Sequence, residues 1–192
     1  GDASSSINTT DGSDNVTIDG DITSGANVST NAGDDTVTLG GTIDGGSTLD
    51  LGVGDDTANL TSNSVNLGGI IDGGEGFDAL SFSDDISIDF SGLADNISNI
   101  ESVDLVAGAQ NITSLSIADV LEMTDTDNTL RIDGDSSDHI SLNTNTDGSG
   151  EWTLGDFKTD AETGVTYQEA TGIEGDSTIT LEISTEIHID QN

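Results

Sequence analysis

Apolar residues recur along the first third of the chain with a period of 21 residues. Residues 9–29 read TTDGSDNVTIDGDITSGANVS, residues 30–50 read TNAGDDTVTLGGTIDGGSTLD, and residues 51–71 read LGVGDDTANLTSNSVNLGGII. A fourth block opens at Asp72 with DGGEGFDALSF. Val16, Val37 and Ala58 fall in register, as do Ile18, Leu39 and Leu60, then Ile22 and Ile43, then Val28, Leu49 and Ile70. Within a block, apolar and polar positions alternate over only three residues, as in Val16-Thr17-Ile18, between clusters of turn formers. Alternation that short predicts very short strands. Short strands repeating about every 20 residues predict the coils of a parallel β-solenoid, each burying its apolar side on the next. A flexible Gly/Asp/Thr linker is the competing reading, and a linker has no reason to keep a period.

After Ser83 the period is lost. Alternation predicts strands over 84–90 (DDISIDF) and 101–106 (ESVDLV), with a helical turn at 93–97 between them. One helix is expected, over 116–123, with Ser116 as N-cap, Asp119 at N3, and Ile117, Val120 and Leu121 on one face. Further strands are expected at 129–133, 139–142, 152–154 and 165–168. The stretch 178–190 (TITLEISTEIHID) is long enough for two. The expected architecture is all-β, in two parts. Residues 1–83 form the repeat solenoid, and residues 84–192 form a β-rich C-terminal cap containing one short helix.

Charge changes this picture. The 192 residues carry 38 carboxylates against Arg131 and Lys158, a net charge of −36. Asp supplies 29 of the carboxylates and Glu nine, which favours turns and metal loops over charged helices. Two cations make no basic patch, so nucleic acid is excluded as a partner and an anionic membrane surface is disfavoured. No apolar run approaches the roughly 18 residues of a membrane span. Without cysteine there is neither a disulfide nor a Cys-based zinc site. Gly1 is followed by no charged or apolar leader, so no N-terminal signal peptide is visible, and the absence of an initiating Met is expected of an excised fragment. Only 31% of residues are hydrophobic and 3% aromatic. A chain so acidic and so poor in large apolar groups remains disordered unless something offsets the repulsion, and a bound cation is the obvious candidate.

The turn clusters suit one. Residues 73–81 (GGEGFDALS) fit the nonapeptide Gly-Gly-x-Gly-x-Asp-x-apolar-x at every defined position. Residues 9–17, 30–38 and 51–59 are degenerate copies that keep the central Gly and the Asp two residues on, at Gly12/Asp14, Gly33/Asp35, Gly54/Asp56 and Gly76/Asp78. Glycine lets the backbone turn tightly and bring carbonyls inward, and the Asp adds a hard anionic oxygen. Together these suit Ca2+, which takes 6–8 oxygen ligands in flexible geometry. The segment resembles the RTX repeats of proteins exported by bacterial type I secretion systems. The resemblance implies calcium between matching loops of neighbouring coils, held by Asp14, Asp35, Asp56 and Asp78 with Gly12, Gly33, Gly54, Gly73 and Gly76 as backbone contributors. Asp34, Asp55, Asp133, Asp135 and Asp138 are weaker metal candidates, as are Asp125 and Asp127; for the downstream clusters a solvated Asx turn is the alternative. One nonapeptide per 21-residue block, where the usual β-roll has two per 18, implies a three-faced coil with calcium along one edge. A second edge, with Asp19, Asp21, Asp44 and Asp72, is expected to bind weakly or not at all.

Downstream, the order NISNIESVDL, LSIADVLEMTDTDNTLRIDGDSSDHISL, a Trp strand, GVTYQ and a terminal alternating strand is similar to the C-terminal end of giant RTX adhesins. That resemblance covers most of 72–192. It implies a cap on the repeats leading into an uncleaved secretion signal, with the type I ABC transporter machinery as partner during export and an extracellular, bacterial setting. A monomer is expected. No enzyme is expected either: His139 and His188 have no Ser-x-Gly elbow nearby, and Trp152 and Tyr167 read as cap core. The competing readings are a β-helix module of a secreted polysaccharide-modifying enzyme, which needs a basic cleft, and a ligand-binding adhesin domain, which needs a Thr array that breaks at Asn59.

Overall fold

The computed structural model describes residues 6–23, 25–61, 67–142 and 150–191. The chain is mostly strand and forms a parallel β-solenoid of about five turns of about 22 residues, with one helix. Its first half holds β1 (Ser6–Asn8), β2 (Asn15–Ile18), β3 (Asn27–Ser29), β4 (Thr36–Leu39), β5 (Thr48–Val53), β6 (Thr57–Leu60), β7 (Ile70–Glu75) and β8 (Ala79–Phe82). The even strands stack in register, Val16↔Val37↔Ala58↔Leu80 and Ile18↔Leu39↔Leu60↔Phe82. The odd strands stack as a second sheet, and Ile22↔Ile43 forms an isolated bridge on a third side. Val37, Leu39, Ala58, Leu60, Leu80 and Phe82 are fully buried. The alternation therefore sends its apolar members inward and leaves Thr and Asn outside.

One register assignment is corrected. Ile71, not Ile70, pairs with Leu49 and is buried, whereas Ile70 pairs with Thr48 and is about half exposed. The spacing rises from 21 to 22 between Leu60 and Ile70, and a one-residue shift in a period-2 strand exchanges its faces.

The second half holds β9 (Ser87–Asp89), two 3-10 turns (Phe90–Gly92 and Ala94–Asn96), β10 (Ile97–Ser98), β11 (Ser102–Leu105), β12 (Asn111–Leu115), α1 (Ile117–Met123), β13 (Thr129–Asp133), β14 (His139–Leu142), β15 (Thr153–Thr159), β16 (Thr166–Glu174), β17 (Ser177–Ser184) and β18 (His188–Gln191). The solenoid does not stop at residue 83. β11, β13 and β17 continue the sheet of β2, β4, β6 and β8, and β16 and β15 close it antiparallel as the eighth and ninth strands. β9, β12, β14 and β18 make a further parallel sheet.

The helix has the expected cap. The Ser116 hydroxyl accepts from the Asp119 amide, and the Asp119 carboxylate accepts from the Ser116 amide in return. Trp152 packs against the core and its Nε1 donates to the Leu115 carbonyl at 3.2 Å. Tyr167 is buried, with its hydroxyl donating to Asp133 at 2.6 Å. No helix among the described residues is long and apolar enough to cross a membrane.

Candidate functional site: a file of carboxylates along one edge

The four Gly-x-Asp loops stack into a single edge. Gly12, Gly33, Gly54 and Gly76 all have positive φ, between 108° and 149°. A Cβ on Gly33, Gly54 or Gly76 would fall on the backbone of the glycine one coil earlier. Only glycine allows both the backbone angle and the close approach of coil to coil.

Each Asp then reaches back to the coil before it. Asp35 Oδ1 accepts the Asp14 amide at 2.7 Å, Asp56 Oδ1 accepts the Asp35 amide at 2.7 Å, and Asp78 Oδ1 accepts the Asp56 amide at 2.8 Å. A fifth rung comes from Glu101, whose Oε2 accepts the Asp78 amide at 2.9 Å. The second oxygens are the unusual feature. Oδ2 of Asp14, Asp35, Asp56 and Asp78 is buried and has no hydrogen-bond partner, and Asp35, Asp56 and Asp78 are each at most 1% exposed. A buried carboxylate oxygen without a partner is costly. Burial pushes the Asp56 and Asp78 carboxyls up to about 6, the accepted amides pull them back, and neighbouring carboxylates raise them further. Burial also raises Glu101, against the Asp78 amide and with the Asp125 charge.

Asp34 and Asp55 form a parallel exposed file that points the other way. Asp34 Oδ1 accepts from the Asp55 amide at 3.1 Å and Asp55 Oδ1 from the Phe77 amide at 3.0 Å. Gly73 lies beside Asp78, where a Cβ would meet the Asp78 side chain. The second edge is thinner: Asp21 accepts from the Thr42 amide at 2.8 Å, Asp72 accepts from Asn99, and Asp19 and Asp44 are exposed.

The downstream candidates are engaged separately. Asp138 is buried with both oxygens occupied, accepting from the Gln110 amide at 2.9 Å and the Asp135 amide at 2.7 Å. Asp135 accepts from Ser137, Asp133 from Tyr167, and Asp125 from the Asp127 amide, the Asx-turn geometry at both 125–127 and 135–137. Among the described residues no three His, Asp or Glu side chains converge as a preformed metal cage.

The donor set of the file nonetheless suits a hard cation: a row of anionic oxygens, already dehydrated and lacking donors, one per coil. Glu101 carries no repeat signal in the sequence, because Asn99 and not a glycine stands two residues upstream. The two cations lie elsewhere, on the outer face of the long sheet. Arg131 and Lys158 both meet Glu182, at 3.1 and 2.7 Å, and Arg131 lies over the rings of Tyr167 and Phe77. They do not neutralise the file.

Comparison of the chain with family models, with curated proteins and with solved structures finds no match.

Proposed function

We propose that the chain is a calcium-dependent folding module of an RTX-type adhesin, exported by a type I system and working outside the cell. One observation carries this reading: four buried Oδ2 atoms in a file, none with a hydrogen-bond partner. Asp14, Asp35, Asp56 and Asp78 would hold the ions through these oxygens, with the glycine-rich loops bringing backbone close by. When bound, calcium supplies the positive charge and the oxygen coordination that the file lacks.

The rest is done by the chain. At −36 the carboxylates repel one another, and without a counter-charge an extended chain, suited to a narrow channel, is favoured. The Oδ1-to-amide bonds form only when consecutive coils are stacked, so the folded state alone presents the Oδ2 file. A ligand that binds only the folded form stabilises it by RT ln(1 + L/Kd), with L its free concentration, so extracellular sites of about 10⁻⁴–10⁻³ M add about 0.4–1.4 kcal/mol each at millimolar calcium, and the file holds several. Coils that stabilise only their neighbours make the transition cooperative. The terminal strands β17 and β18 are the proposed export address, since Ile179, Leu181 and Ile183 become buried only after folding.

The experiment is a calcium titration of chelator-treated protein followed by far-UV circular dichroism. A cooperative passage from coil to β signal is expected, with a higher midpoint in Asp35→Ala and Asp56→Ala than in Asp176→Ala, an exposed turn position. A spectrum already β-rich in excess chelator and indifferent to calcium would overturn the proposal.

A further inference from the structure

A second corner of the solenoid repeats the Gly-x-Asp turn without its carboxylate. Residues 108–110 (Gly-Ala-Gln) lead into β12 as Gly33-Asp34-Asp35 leads into β4. Gly108 has positive φ, 103°, and a Cβ on it would fall on Asp85 of the coil before. The hydrogen bonds between coils match those of the file. Asp138 Oδ1, one coil later, accepts the Gln110 amide at 2.9 Å, as Asp35 Oδ1 accepts that of Asp14. Asp85 Oδ1 accepts the Ala109 amide at 2.8 Å, as Asp34 Oδ1 accepts that of Asp55. What differs is the residue in the place of the carboxylate. Gln110 is 1% exposed. Its Nε2 is turned toward three backbone carbonyls, of Ala107 at 2.6 Å, Asp84 at 2.8 Å and Phe82 at 3.5 Å.

We propose that the Gln110 carboxamide does at this corner what calcium does in the file, so that the turn closes with no ion of its own; this rests on the calcium reading of the file. Buried carbonyl oxygens that converge on one point need a positive partner there, either an ion or a donor group. The Gln110 NH2 has two hydrogens to donate and no net charge. They serve the Ala107 and Asp84 carbonyls, while the Phe82 carbonyl also accepts the Val106 amide at 3.0 Å. The Oε1 left over is buried without a partner, which costs a neutral amide far less than it costs a carboxylate. Asp138 needs no ion either, because its Oδ2 accepts the Asp135 amide at 2.7 Å. Among the described residues, the orphaned buried carboxylate oxygens are those of Asp14, Asp35, Asp56 and Asp78. The requirement for calcium thus stops at the file and does not extend to the sheet of β9, β12, β14 and β18.

Urea unfolding at about 1 mM and about 10 mM calcium, followed by circular dichroism, compares the wild type with Gln110→Met and Gln110→Glu. Methionine keeps the length and loses the donors. Gln110→Met should therefore unfold at lower urea than the wild type, by the same margin at both calcium concentrations. Glutamate sets an anionic oxygen against the carbonyls and restores the carboxylate of the file, so its deficit should be one that calcium relieves. With a new site of about 10⁻⁴–10⁻³ M, the folding constant of Gln110→Glu gains about 5- to 10-fold on the wild type between the two concentrations. A Gln110→Met chain as stable as the wild type, or a Gln110→Glu deficit that calcium does not narrow, overturns the proposal. Failure of the calcium reading itself is seen separately, as a wild type whose urea midpoint calcium does not move.

Discussion

Gly12 and Gly54 occupy equivalent places in the repeat and differ in what surrounds them. Both have positive φ, at 108° and 140°. A Cβ on Gly12 meets nothing within 4 Å, but a Cβ on Gly54 falls on the Gly33 carbonyl. Gly12→Ala should therefore cost only the backbone term, about 1 kcal/mol. Gly54→Ala adds a clash that forces two coils apart, and a loss of at least about 2–3 kcal/mol is expected. Urea unfolding of both variants in calcium distinguishes the two. Equal losses would mean that coil-to-coil approach at this edge is not what selects glycine. At the same scale, Glu182 shows how a buried carboxylate is satisfied when cations are at hand. Burial raises its carboxyl, but hydrogen bonds from Lys158 and Arg131 outweigh that and hold it below the ordinary range.

Among the elements, the carboxylate file sets the pH response of the calcium-free chain. Asp56 and Asp78 ionise near 6 in the fold against an ordinary value of 3.8. The folded state therefore holds protons that the unfolded chain releases. The stability they contribute is complete below about 3.8 and is lost as pH rises through about 6. Calcium-free protein, a coil at about pH 7.5, should gain β signal by far-UV circular dichroism as pH is lowered to about 4.5. Glu182 works in the opposite sense and limits the gain in stronger acid. A β signal that stays flat or falls as pH is lowered over that window would show that the file is not desolvated. The file also marks what a reader of the sequence can recover. Its first four rungs are legible because Gly and Asp recur together at intervals of 21, 21 and 22 residues, and the capped helix because Ser116 and Asp119 carry a local signal. The later coils were hidden by uneven spacing. Arg131 follows its partner Ser102 by 29 residues, and Glu182 lies 51 beyond its partner Arg131, because α1 and the β15–β16 hairpin are inserted between rungs. The pairing of Oδ1 with an amide and the orphaning of Oδ2 have no sequence signature, since both arise from stacking.

For the whole molecule, stability is a sum over neighbouring coils, and the ends differ. Val16 and Ile18 in β2 are only half-buried, while Ala58, Leu60, Leu80 and Phe82 are fully enclosed. Amide hydrogen exchange in calcium should be fastest in β2 and slowest in β6 and β8. Uniform protection along the stack would mean that the coils open together. The far end is finished by different means. α1 packs against β10, and β15 and β16 turn the long sheet antiparallel. A stack of parallel coils is by nature a template, and head-to-tail addition of copies would give filaments rather than closed assemblies. The reversed hairpin breaks that symmetry. Its outer strand β15 runs against the direction of the coils and carries Asp156 and Lys158 on its exposed face, so it offers an arriving coil neither the hydrogen-bond pattern nor the neutral edge that it needs. On its longest sheet the molecule is a polymer with one terminated end.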